Sequence, residues 1–227
     1  MRGAEGAARR TLQLGGLSGI ASGILIVIAL FLVLTLPQGG IFADAGTFLA
    51  NFPASRTTVV TIVRLSYVAS FLYVPFLVAL FASGGTGRSV TAQLGTLLGT
   101  VAAGALFVFA VGSGFTASSL SDAYASGSPQ ERTAIVFAAQ AAFAVLSALQ
   151  SLAIFFFGFA FISFGLAILG NSSYHKGFGW ASVILGIVSV AVLYAPGVPN
   201  SVAFLFVAIF AFLLGAKLLN ASQHSRE

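Results

Sequence analysis

The sequence predicts an all-α, polytopic integral membrane protein: a six-transmembrane-helix bundle with a long fourth helix and both termini cytoplasmic. Three observations carry this expectation. Of 227 residues, 58% are hydrophobic and 7% are charged, against about 25% charged in a soluble domain, so the charges are too few to cover a water-facing surface. The apolar residues fall into runs of the length, about 20 residues, that a helix needs to cross a hydrocarbon core about 30 Å thick. Lys and Arg are unequally shared between alternate loops, as they are in membrane proteins with a defined orientation. The same apolar excess excludes a disordered chain.

The first span covers residues 14–36 and is stopped by Pro37-Gln38-Gly39-Gly40. The second covers 59–81 and contains Arg64 and Pro75; the third covers 90–115. Residues 134–169 form one apolar stretch without Pro, and its first half has no Gly. As a helix it is about 54 Å long at 1.5 Å per residue, too long for one span and without a loop for two. The expectation is one long helix whose membrane part is 151–169. Its first half, 134–150, is then tilted, kinked or laid against the outer surface, and a separate interfacial segment is the alternative. Spans five and six cover 178–195 and 201–219. Residues 1–13 and 220–227 are left as cytoplasmic tails.

With the N-terminus inside, Arg2, Arg9, Arg10, Arg88, Lys176, Lys217 and Arg226 lie on the inner side, Arg56 and Arg132 on the outer side, and Arg64 within a span. Seven against two places both termini in the cytoplasm. A cleaved signal peptide ending near Ala43-Asp44-Ala45 competes for the first span, but that run is longer than the 7–15 residues or so of a signal peptide's apolar region. The outer loops are then 37–58 and 116–132. In the first, Asp44 is suited to cap a short helix through about Ala50, because its carboxylate accepts from free N–H groups of a first turn.

Small residues four apart let helices approach closely in lipid. Gly15, Gly19 and Gly23 form one such row, Gly95 and Gly99 with Ala103 a second, and Ala134, Ala138 and Ala142 a third. Packing within the bundle is the expected use, and an oligomer face the alternative. Arg64 lies about 8 Å below the outer boundary. It reads either as a contact for a solute or anion, or as a snorkelling side chain paired with Asp44, Asp122 or Glu131. Tyr67, Gln140 and Gln150 are candidates to join Arg64 in a polar seam between the second and fourth spans. Ser66, Ser70 and Tyr73 follow i, i+4, i+7 spacing on another face. The Phe155–Phe164 run is expected to face lipid, and Tyr174 and Trp180 to anchor the inner interface.

No span contains Asp, Glu, His or Cys, and the chain has no Cys at all. A base beside a nucleophile, a thiolate or a metal ligand set is therefore not expected within the membrane. No catalytic, cofactor or metal site is predicted, and no nucleic-acid partner.

Several residues are similar to a known family: Val63-Arg64-Leu65 early in the second span, Phe156-Phe157-Gly158 with Gly165 in the fourth, and the turn into Gly179-Trp180. With these the chain resembles the bacterial and archaeal membrane proteins grouped as domain of unknown function 4386, over about Gly15 to Ala195. It departs from their pattern in having Gly177-Phe178-Gly179 where a Pro often stands, and only Asn171, Tyr174 and His175 at the fourth span's inner end. The resemblance implies six helices in a prokaryotic inner membrane and carries no activity. The expected function is a non-enzymatic membrane partner or structural or regulatory component, in contact with lipids and with a second copy or another membrane protein. A small-solute transporter using Arg64, Tyr67 and Gln150 is the alternative. A lipid-modifying enzyme using Asp44 and Asp122 comes third.

Overall fold

The computed structural model describes residues 2–36, 44–83, 89–170, 174–196 and 198–224. The Pro37–Gly40 stop, Arg88, Asn171 and Arg226 lie outside the described residues. Six helices follow in order: α1 (Arg2–Leu34), α2 (Ala45–Ala82), α3 (Val90–Ser126), α4 (Pro129–Leu169), α5 (Lys176–Val192) and α6 (Ser201–His224). All but α5 are long and apolar enough to cross a membrane. The chain is a helical membrane bundle.

Each helix packs against its neighbours in the chain, and α1 packs on α6, so the six form a closed ring. Lipid supplies no hydrophobic drive for this association, so close contact between backbones must supply it. Gly15 and Gly19 lie against Ala79 and Phe76 of α2, and Gly19 and Gly23 also meet the Ala211 and Ala208 carbonyls of α6. Gly95 lies under the Phe164 ring and Gly99 against Leu77. Both predicted glycine rows are thus used inside the bundle. The alanine row is not: Ala134 and Ala138 are exposed and Ala142 half-buried.

A second glycine device joins α4 to α5. Gly158 faces Gly186, and Gly165 faces Gly179. Each helix spaces its pair by seven residues, so two antiparallel helices meet twice at the same separation. A Cβ on Gly158 would sit 2.9 Å from the Gly186 carbonyl oxygen, and one on Gly165 2.7 Å from that of Gly179.

The ring's interior is aromatic. Phe157, Phe161 and Phe164 of α4 are fully buried, with Tyr73 and Phe76 of α2 and Phe210 of α6. Phe161 stacks on Phe210 at 4.0 Å between centroids, and Phe157 meets Tyr73 edge-on at 5.0 Å. This corrects the expectation that the Phe run faces lipid: residues 157, 161 and 164 share one helix face, and that face looks inward. Phe159 alone in the run is exposed, with Phe155 and Phe156 half-buried.

The largest departures from expectation concern helix ends. Helix α2 starts at Ala45, so most of the expected 37–58 loop is helical. Asp44 does cap it, accepting from the Thr47 N–H at 2.7 Å. The helix then runs through Pro53 rather than stopping near Ala50. Proline removes the N–H that would meet the Leu49 carbonyl, and the Ser121 hydroxyl of α3 donates to that carbonyl instead, at 3.3 Å. Helix α3 continues to Ser126, where a loop was expected from residue 116. Residues 134–169 are one helix, as the single-helix expectation had it, but it starts earlier, at Pro129, where the outer loop was expected, and is closed at the start by a capping box between Ser128 and Glu131. The expected tails are also largely helical, from Arg2 in α1 and up to His224 in α6; Ala, Leu, Lys and Arg near both ends are strong helix formers.

Helices α2, α3 and α4 are therefore about 57, 56 and 62 Å long, roughly twice a hydrocarbon core. Helix α5, at about 26 Å, is not. It lies beside residues 158–165 of α4, and the halves of α2–α4 farther from the termini run on past α5 and α6. There they form a three-helix projection with its own core of Phe48, Leu49, Phe52, Phe143 and Leu146. Arg56 and Asp122 pair across it.

Two outcomes follow. Gly186→Val should lower stability by about 1–3 kcal/mol, the usual effect of overpacking, whereas Gly104→Ala, with nothing within 4 Å of its added Cβ, should cause no loss; detergent-titrated unfolding in mixed micelles measures both. The amides that Asp44 accepts from hold its carboxyl below the usual carboxylate range. Its support for the first turn of α2 is therefore present above the unfolded-state pKa and disappears as pH falls through the lower folded value. NMR shifts of Gly46 and Thr47 should titrate below that of a free Asp, and Asp44→Asn should abolish the titration.

Candidate functional site

The projection and the ring meet at a step, and a cavity of about 420 Å³ sits there. One wall is the end of α1, with Ile26, Leu30 and Val33. The opposite wall is α3, with Phe109 and Ser113. Between them stand Ile62, Val63 and Ser66 of α2, Ser147 and Gln150 of α4, and the segment from Val198 to Phe204 that leads into α6. Gln150 lies 19 residues from the end of α4, about 29 Å along the helix, or one hydrocarbon thickness from that end.

The polar groups that the described residues present to the cavity are neutral. Ser113 donates to the Phe109 carbonyl at 2.7 Å, and the Asn200 amide donates to the Ser151 hydroxyl at 3.3 Å. Gln150 differs. It is 8% exposed, its amide opens on the cavity, and no hydrogen bond ties it to any described residue. Below the cavity the Ser70 hydroxyl donates to the Ser66 carbonyl at 2.8 Å. Tyr73, one turn further, buries a hydroxyl without a partner among the described residues.

The structure divides the four residues expected to form one polar seam. Gln150 lines the cavity. Arg64 is exposed on the outside of α2, Gln140 is exposed on the projection, and Tyr67 is half-buried with its ring edge-on to Phe107 at 6.4 Å. The acids expected to pair with Arg64 have other uses. Asp44 and Glu131 cap helices, and Asp122 bonds Arg56. Asp44 and Asp122, the carboxylates of the enzyme reading, are thus each committed to a structural contact. Among the described residues no three His, Asp or Glu side chains gather as metal ligands.

Sequence reasoning passed over Ser113, Ser147, Asn200 and Ser201. A signal existed for two of them. Ser147 stands one helical turn from Gln150 in an apolar stretch, and Asn200 is the one amide flanking the sixth span's start. Only the fold brings them to one place. Tyr174, expected at the interface, is buried with its hydroxyl on Ser83, and that burial raises its pKa. Trp180 is exposed as an interfacial anchor would be.

No family model, curated protein or solved structure matches the chain.

Proposed function

We propose that the protein is a non-enzymatic component of a prokaryotic inner membrane that holds one small molecule where its three long helices leave the bilayer. The observation that carries this reading is the cavity itself. Its volume falls within the range of about 300–1,000 Å³ typical of small-molecule sites, and apolar walls with a few converging polar groups are their common composition. An occupant would touch α1, α2, α3, α4 and the lead into α6 at once. It would couple the ring to the projection, which suits a structural or regulatory role toward a membrane partner or a second copy. A solute path along Arg64, Tyr67 and Gln150 has less support, because Arg64 lies on the outer surface of α2. The resemblance to domain of unknown function 4386 belongs to the same proposal and adds no activity. The seven-to-two split of Lys and Arg supports cytoplasmic termini, with the projection outside.

Native mass spectrometry of protein extracted gently from its own membrane should show one defined small-molecule mass beyond bulk lipid. Ala110→Phe, which fills the cavity from α3, should lose it. Bulk lipid alone on both proteins would overturn the reading. Orientation has its own test, since the chain has no Cys. In intact spheroplasts an impermeant maleimide should label Ser119→Cys and spare Lys176→Cys, both exposed positions; the reverse would overturn the assigned orientation.

A further inference from the structure

We infer that the cavity takes an uncharged, single-chain alcohol, with its hydroxyl on the Gln150 amide and its chain against Leu30, Val33 and Phe109. This rests on the small-molecule reading above and names the ligand class. Two observations carry it.

The first is the unpaired amide. Gln150 offers an N–H donor and a carbonyl acceptor from one planar group. A hydroxyl can accept from the first and donate to the second, whereas a ketone, ether or ester can only accept. The second is charge. Among the described residues, no ionisable side chain lines the cavity. A phosphate or ammonium there would be desolvated with no opposite charge beside it. Arg64 does not supply one: it lies two residues from Ser66, about 200° around the helix, and is exposed on the other side.

The test uses the full chain in nanodiscs and four labelled probes of equal chain length: 1-dodecanol, dodecane, dodecyl phosphate and dodecyltrimethylammonium. Binding is read as saturable excess over empty nanodiscs. Wild type should bind dodecanol, with dodecane weaker by about tenfold for the lost hydrogen bonds and the two ions no better than dodecane. Gln150→Leu should bring dodecanol and dodecane to the same affinity. The wild-type ranking stands without any variant, and Gln150→Met serves if the leucine variant misfolds. Equal binding of dodecanol and dodecane by wild type would mean that water alone meets Gln150, and would overturn the inference. So would tight binding of either ion, or an unchanged preference for the alcohol in Gln150→Leu; the small-molecule reading would survive all three. If no probe exceeds empty nanodiscs and Ala110→Phe behaves as wild type, the small-molecule reading falls, and the inference with it.

Discussion

The thickness of a bilayer is the constraint on which the rest of this structure depends. Three helices, α2, α3 and α4, are about twice as long as the hydrocarbon core, and α5 is about as long as the core. A bundle built from such unequal members must end in a step. Below it all six helices surround one aromatic core. Above it three helices continue alone, around a second core centred on Phe52 and Phe143. The candidate site lies at the step because α6 begins there and the helices that continue cannot fill the space it leaves.

Association below the step has a different physical basis from that of a soluble core. Lipid tails are as apolar as Leu, so burying Leu gains little. What counts is how closely backbones approach and how densely side chains touch. The glycine pairs of α4 and α5 meet the first requirement. The stacked and edge-on rings of Tyr73, Phe76, Phe157, Phe161 and Phe210 meet the second; such arrangements add about 0.5–1.5 kcal/mol per pair beyond area.

Polar groups in this apolar chain mostly serve the backbone. Ser22 donates to the Ala69 carbonyl across two helices, and Ser182 and Ser189 each bond the carbonyl four residues earlier. Ser121 meets the carbonyl that Pro53 leaves free. The carboxylates of Asp44 and Glu131 hold helix starts. Against that pattern Gln150 stands apart as a nearly buried amide that opens on a cavity, and this difference separates a candidate site from ordinary satisfaction of polar atoms.

The sequence by itself determined the fold class, the six helices and the continuity of residues 134–169, because runs of apolar residues must be helical in lipid, where every backbone group needs an internal partner. It also determined that Asp44 starts a helix and that the rows at Gly15 and Gly95 face other helices. Only the tertiary structure decided where helices end outside the lipid, since Pro53 reads locally as a stop and becomes tolerable only when Ser121 arrives from another helix. It alone decided which way the Phe run faces, because an apolar side chain is at home against lipid or protein and hydropathy does not separate the two. And it alone drew Gln150, Ser66, Ser113 and Asn200 together while sending Arg64 outward. A helix's rotation about its axis is set by the neighbours it packs on, and those neighbours lie far away in the chain.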